Sequence, residues 1–543
     1  MRLPKAACSI IIKFMNHLEK IKKNKIGLLL FLAYFAWVIF LFIHHEPWRD
    51  EVQSWLLVRD LDFPALLAQL KYEGHPIGWL GIVWVMAHLG LPYISQRIFC
   101  VLIVLAMACI VCFWTKNTLL KLLLLLGTPM FYELAVMSRN YSISALALLI
   151  MAICHADRFG RRRILYCVCL FFLMNANIYG TVIGIVLFGG DFLLLIIRRE
   201  NRTRAALCAF IPYALTFALS AGLVWLVLYS NLLAPFSTIP AEAGSAYEMN
   251  NLRISLGKIA DALSKAANVT ILGSDVEEVY PLVITPLSNV TGLSASVLGN
   301  IWTALLTGVI FALIILAGLV TRRRRDRFWI IVTGFAGWIG TVAAISITGR
   351  AYIRHGVPFI FLLVYLWIVA LQDRKEGVSP GAIRPKAPRY ISGALAAVML
   401  IGAFGLNIGR AAEDIERPYS MGSATAAFLR DNGYDEEDVL ILAANQPYTS
   451  TILGLMEHQR TFRYINGDSS FSPWQVIYTF DESEEAVAEF IAIQLDDNRE
   501  QYREILFIGV WRDSPIYDLY PVIYDSGNDC IFSEESYVVL RLV

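Results

Sequence analysis

Apolar residues in this chain run in blocks. Twelve of them, near 26–43, 77–91, 96–114, 119–136, 142–157, 164–180, 182–197, 205–229, 298–320, 328–348, 355–371 and 390–410, are separated mostly by short polar breaks. About 20 apolar residues suffice to cross a ~30 Å hydrocarbon core as a helix, which satisfies its own backbone there. An all-α polytopic membrane protein is therefore expected over residues 26–410. After residue 420 the pattern changes. "SATAAFLRDNG" reads as a helix stopped by glycine and "EEAVAEFIAIQLDDNREQY" as an amphipathic helix, while "DVLILAA", "EILFIGVW" and "SYVVLRLV" read as buried strands. Residues 420–543 are expected to form a soluble, extracytoplasmic α/β domain.

Composition agrees with this class: 57% of residues are hydrophobic and 17% charged, with a mean hydropathy of +0.57. The net charge of +1 hides a polarised distribution. Basic clusters, "KIKKNK" before the first block, "RFGRRR" at 158–163, "RRENRTR" at 198–204 and "RRRRDR" at 322–327, each abut a span. The excess of Lys and Arg beside spans marks the cytoplasmic side. These clusters are read as topology signals, not as a nucleic-acid surface, and residues 1–25 as a cytoplasmic segment. The first block has no small-residue cleavage site after it and reads as a retained helix. The tail after Arg410 holds 25 of the 45 acidic residues and no lysine, so it is expected outside. A cytoplasmic start and an outer tail require an odd number of crossings. Eleven are favoured, with thirteen as the alternative, because "GTPMF" at 127–131 should break the 119–136 block. Eight of the nine cysteines precede residue 210, and Cys530 stands alone in the tail, so no disulfide is expected within it. No phosphate-cradling glycine loop of the Walker type is present, which argues against nucleotide hydrolysis.

On this register the outer side gathers the loop 45–76, the turn "SRNYS" (138–142), "NANIYG" (175–180), the long loop 230–297 and "GRAYIRH" (349–355). The loop 45–76 should carry two short interfacial helices separated at Pro64. At its start, Asp50 and Glu51 stand where the first span leaves the lipid, and "YEGHPIGW" with His75 closes the same loop before the second span. Ion pairing at the interface is one explanation of the acids. The other is chemistry: a half-buried carboxylate whose pKa is tuned by burial or by a cation makes a general base. Arg139, Tyr141, Arg350, Tyr352, Arg354 and His355 form a second constellation. Arginine is unexpected in outer turns, so it snorkels to headgroups or grips an anion, for which its planar fork suits phosphate. Arg97 is placed on the inner side. In the tail, His458 and Trp474 could meet an acceptor or simply belong to the folded domain.

An acidic pair after the first span, "HP" before the second, an arginine opening the third and then "SRNYSISALALL" resemble the GT-C superfamily of membrane glycosyltransferases, and most nearly its protein O-mannosyltransferase and aminoarabinose transferase group. The likeness covers about the first 200 residues in order. It implies a many-helix fold with a catalytic acid in a large first outer loop, and a sugar donor carried on a polyprenyl phosphate. On this chain Asp50 would be the catalytic base or a metal-contacting acid, with Glu51 beside it. His75 would line the donor or acceptor pocket, and Arg139 and Tyr141 would border the cavity; beyond residue 205 the likeness is of layout alone, and Arg350, Tyr352, Arg354 and His355 are expected to bind the donor on their charge and position. Many relatives carry a second acid after the arginine motif, whereas this chain has Ser142 and Ser144 there and Glu133 upstream. A divalent metal ion is therefore not assigned to any residue, and no other cofactor is implied. The expected activity is transfer of a monosaccharide to a lipid, glycan or protein acceptor at the outer face of the cytoplasmic membrane. A transporter or flippase of lipid-linked saccharide and a non-catalytic membrane scaffold are the alternatives.

Overall fold

The computed structural model of the protein describes residues 24–115, 117–197, 203–236, 255–321, 323–349, 352–372, 387–456, 462–465, 467–469, 483–510 and 514–543. Arg350, His458 and Trp474 lie outside the described residues, as does the N-terminal segment to residue 23.

Helix α1 (Lys25–His44) starts on Asn24, whose side chain accepts from the Gly27 N–H. Two short helices follow, α2 (Arg49–Asp60) and α3 (Phe63–Glu73). Between them Asp62 caps α3 by accepting from the Ala65 N–H, and Pro64 occupies the first turn, where its missing N–H costs nothing. Gly74, at φ 70°, ends α3 in the left-handed conformation that favours glycine. Next come α4 (Ile77–His88), α5 (Ile94–Cys109, continued by a π-turn to Trp114), α6 (Thr118–Leu126) and the one-turn α7 (Glu133–Val136). The break between α6 and α7 falls at Gly127–Pro129, as the sequence predicts. There Thr128 Oγ1 donates to the Leu124 carbonyl at 2.6 Å and accepts from the Met130 N–H at 3.2 Å, so backbone groups released by the break find a partner.

The remaining helices are α8 (Tyr141–Cys154), α9 (Arg163–Ala176), α10 (Ile178–Ile197), α11 (Arg204–Leu228), α12 (Leu256–Leu272), α13 (Val276–Val279), α14 (Thr285–Thr291), α15 (Ala295–Val320), α16 (Arg324–Thr348), α17 (Ile353–Gln372) and α18 (Ala387–Glu416). Among the described residues, eight helices are long and apolar enough to cross a membrane, namely α1, α5 with its π-turn, α10, α11, α15, α16, α17 and residues 393–416 of α18; α4, α8 and α9 are shorter apolar helices. Helices α8 and α17 are apolar nearly all round and pack against each other at the centre of the bundle. The faces of α1, α11 and α18 are largely exposed apolar side chains, as expected of helices bounded by lipid.

The C-terminal part carries α19 (Gly422–Asp431), β1 (Val439–Ala443), α20 (Gln446–Leu455), β2 (Phe462–Tyr464), β3 (Gly467–Ser469), α21 (Glu484–Asn498), β4 (Glu504–Gly509), α22 (Ile516–Leu519), β5 (Val522–Asp525) and β6 (Val538–Arg541). Its six-stranded sheet has the order β3-β2-β1-β4-β6-β5, with β1 parallel to β2 and β4 and the other pairs antiparallel. The central strands β1 and β4 are almost wholly buried, which is why they read as continuous apolar runs. This unit is not a free appendage. Helix α20 lies on α2, and Val52 and Leu56 of α2 join the core formed by Leu429, Ile452, Leu453 and Phe462. Each such side chain withdrawn from water contributes about 1.5–3 kcal/mol.

Candidate functional site

The site forms where the ends of five segments meet: the start of α2, the α3–α4 turn, the short link 137–140 before α8, the start of α17, and the segment around Tyr419. Asp50 sits in the first turn of α2, where a carboxylate also interacts well with the helix dipole. It is 8% exposed, and its Oδ2 accepts from Arg354 Nη2 at 3.0 Å. The Arg49 Nε lies 3.8 Å from Oδ1. Arg139 reaches the same turn from the other side: its Nη1 donates to the Asp50 carbonyl, and to Ser54 Oγ at 3.1 Å. The Nη2 of Arg139 lies 3.5 Å from His75 Nε2. His75 is held between the left-handed Gly74 and Pro76, the residue that opens α4.

A shell of rings encloses these charges. Tyr141 lies between His75 and His355, with centroids at 6.5 and 5.9 Å. Tyr179 stacks on His355 at 4.8 Å, and Arg354 lies over Tyr352 at 4.6 Å and Trp48 at 5.3 Å. Asp50, His75, Arg139, Tyr141, Tyr352, Arg354 and His355 thus come from four separate stretches of sequence into one connected set.

Glu51 does not join that set. It is 0% exposed and points the opposite way, its Oε1 accepting from both the Ser138 N–H and, at 2.6 Å, the Ser138 hydroxyl. Its Oε2 lies 3.5 Å from His45 Nε2, and His45 Nδ1 is 2.9 Å from Asp414. Burial alone would strip the proton from His45, but hydrogen bonds and charge from Asp414 and Glu51 outweigh it and raise its pKa to about 9. Burial likewise opposes the Glu51 charge, and His45 with Ser138 nevertheless holds its pKa below the ordinary range. The row Asp414–His45–Glu51–Ser138 is a charged tie between α18, the end of α1, α2 and the link before α8. The expectation that Glu51 works alongside Asp50 at the substrate does not match this enclosure.

Arg97 also differs from expectation. Its Nη2 donates to the carbonyls of Phe42 and His45 at 2.9 Å each, which puts it at the same end of the bundle as Asp50. The start of α5 itself stands at this end: Gln96 Nε2 donates to the carbonyls of Glu51 and Ser138 at 3.0 and 3.1 Å, and the Arg97 guanidinium lies over Phe42.

Two acids of the site were given no role from sequence. Glu73, in the "YEGHP" stretch, accepts from Gln53 Nε2 at 3.4 Å and Gln69 Nε2 at 3.3 Å and retains a partly open face. Burial pushes its pKa up to about 7, against the hydrogen bonds and the nearby Arg139. Its adjacency to His75 was the available signal. Glu133, 7% exposed, has a carboxylate with no hydrogen bond or ion pair among the described residues, and it lies within electrostatic range of Arg354 and Arg410. Arg410 in turn pairs with Glu278 and donates to the Gly273 carbonyl at 2.7 Å. Among the described residues no group of three or more His, Cys, Asp or Glu side chains is arranged to hold a metal ion.

Next to Arg410 the bundle contains an apolar cavity of about 290 Å³, lined among others by Leu123, Thr128, Gly273, Leu313, Ile360 and Trp367. Asn407 ties its upper rim by donating to the carbonyls of Leu126 and Thr128. No family model, curated protein or solved structure matches this chain.

Proposed function

We propose that the chain is an integral-membrane glycosyltransferase that moves a monosaccharide from a polyprenyl-phosphate donor to the hydroxyl of a lipid, glycan or protein acceptor at the outer face of the membrane. The observation that carries this reading is Asp50, a nearly buried carboxylate ion-paired to Arg354 and braced by Arg139, at one end of a bundle of membrane-length helices. The apolar cavity rimmed by Thr128 and Gly273 supports a lipid-borne substrate, because a hydrocarbon tail there would leave its head group at the level of Arg410 and Arg354.

The chemistry follows from charge balance. The acceptor oxygen forms a bond to the anomeric carbon while the bond from that carbon to the phosphate oxygen breaks, its electron pair leaving with the phosphate. The acceptor proton passes to Asp50. In the resting arrangement Arg354 occupies Oδ2 of Asp50. An incoming phosphate offers Arg354 a competing anion with more acceptor oxygens, so donor binding both engages the guanidinium and frees the carboxylate to act as base. Arg354 then stabilises the charge that grows on the leaving phosphate. Attack from the face opposite the phosphate predicts inversion at the anomeric carbon, by analogy with inverting glycosidases. Glu51 acts in this scheme as a positioning residue.

One observation favours a second reading, a flippase: the cavity extends from Asn117 and Val320 at one end of the bundle to Gly273 at the other. Membranes containing the Asp50→Asn protein, assayed with radiolabelled polyprenyl-phosphate mannose, separate the two. Loss of sugar transfer with unchanged donor translocation supports the enzyme. Retained transfer defeats it.

A further inference from the structure

The helix that carries Asp50 has no N-terminal cap of its own. Trp48, at the cap position of α2, has extended backbone and a side chain that bonds to none of the exposed amides of the first turn. The first N–H groups of a helix need acceptors, and here one comes from 486 positions away: the Arg49 N–H donates to Glu535 Oε1 at 2.8 Å. Glu535 is 0% exposed, and its other oxygen accepts from the Ser420 hydroxyl at 2.6 Å. The contact is reinforced on every side. The Arg49 guanidinium lies over the rings of Tyr448 and Phe532 at 4.8 and 4.9 Å. Trp48 packs against Tyr419 and Phe532 at 5.5 and 5.2 Å while its ring also supports Arg354. One helical turn on, a Cβ added to Gly454 would stand 2.1 Å from Val52 Cγ1, so α20 and α2 are in backbone-close contact.

We propose that Glu535 is the positioning residue of Asp50, and that the C-terminal α/β domain is thereby a working half of the site, not a passenger. This rests on the reading of Asp50 as the base. Glu535 touches no reacting atom in that scheme. It fixes the first turn of α2, one residue before Asp50, and so fixes where the carboxylate meets Arg354 and Arg139.

The test compares full-length wild type with Glu535→Ala, Glu535→Gln and Ser420→Ala in lipid nanodiscs, by hydrogen exchange and by sugar transfer from radiolabelled polyprenyl-phosphate mannose. Gln keeps an acceptor oxygen for Arg49; Ala does not. The expected result is at least fivefold faster exchange in the peptide covering 48–56 for Glu535→Ala, with the β1 and β4 peptides unchanged. Glu535→Gln should stay near wild type and Ser420→Ala should fall between. Transfer by Glu535→Ala should lose about tenfold in kcat with KM for the donor unchanged. Unchanged exchange at 48–56, exchange rising equally throughout the domain, or equal damage from Gln and Ala would overturn the proposal. If wild type and Asp50→Asn transfer sugar equally, the enzyme reading fails, while the exchange pattern still decides whether Glu535 caps α2.

Discussion

Two adjacent carboxylates with opposite surroundings should respond oppositely to the same small change. Glu51→Gln and Asp50→Asn each replace one oxygen by an amide nitrogen with little change of shape. At position 51 the amide faces His45, which is protonated at neutral pH because its pKa is raised to about 9. A donor then points at a donor, and the His45 charge keeps only Asp414. The two bonds from Ser138 also fall from charge-assisted to neutral, a loss of about 1 kcal/mol each on typical values. Stranding one partner of a buried charged network costs about 3–5 kcal/mol. At position 50 the pair is slightly more open, with the Asp50 and Arg354 side chains 12% and 13% exposed against 0% for Glu51 and His45, and Arg354 still lies over Trp48 and Tyr352 and near Glu133. The cost there should be about 1–2 kcal/mol.

The assay is the half-life of monodisperse protein at a fixed elevated temperature, followed by size exclusion in detergent, alongside transfer by the surviving fraction. A deficit of ~3–5 kcal/mol that is absent from the unfolding transition state shortens the half-life by roughly two to three orders of magnitude. Glu51→Gln should therefore be short-lived but active while folded, and Asp50→Asn long-lived but inactive. The reverse pattern, with a stable Glu51→Gln and an unstable Asp50→Asn, would refute the division of labour between the two acids.

Further expectations are more local. Glu73 has a folded pKa raised to about 7, so its contribution to stability is complete below its unfolded pKa and declines as pH rises through about 7; Glu73→Gln should remove that decline in thermal scans between pH 4.5 and 8, and with it any limb near 7 in the transfer profile. Val364→Trp should fill the apolar cavity and lower kcat/KM about tenfold for a long-chain polyprenyl-phosphate donor while sparing a short-chain one. Gly78→Ala puts a Cβ 2.5 Å from the Asn175 carbonyl oxygen and should cost about 1–3 kcal/mol, read as a lower denaturation temperature. At the other end of α8, Arg158→Met leaves Asp191 buried without its paired guanidinium and should cost about 3–5 kcal/mol, again in denaturation, with kcat of the folded fraction retained.

What the sequence could and could not disclose follows from the range of each signal. Apolar blocks, the break at Gly127–Pro129, the paired short helices around Pro64 and the strands "DVLILAA" and "EILFIGVW" are local patterns, and each is found where the pattern put it. Charge out of place was also informative: Arg139 and Arg354 stand in turns where the expected topology disfavours arginine, and both turn up on Asp50. Contacts that span the chain left no such mark. Nothing in "SEES" announces that Glu535 meets Arg49, and neither does "EDI" announce that Asp414 meets His45. Adjacency misled at Glu51, because successive residues of a helix point about 100° apart, so one acid of the pair faces Arg354 while its neighbour is locked in the core. That geometry gives the pair its logic. Glu51 anchors α2 to the bundle through Ser138 and His45, Glu535 anchors the same helix to the domain through Arg49, and Asp50 projects from the one short stretch held on both sides. Under the proposed mechanism, a carboxylate that must stand within hydrogen-bond reach of an acceptor hydroxyl needs its backbone fixed from outside its own helix, and in this chain the two fixings come from opposite ends of the sequence.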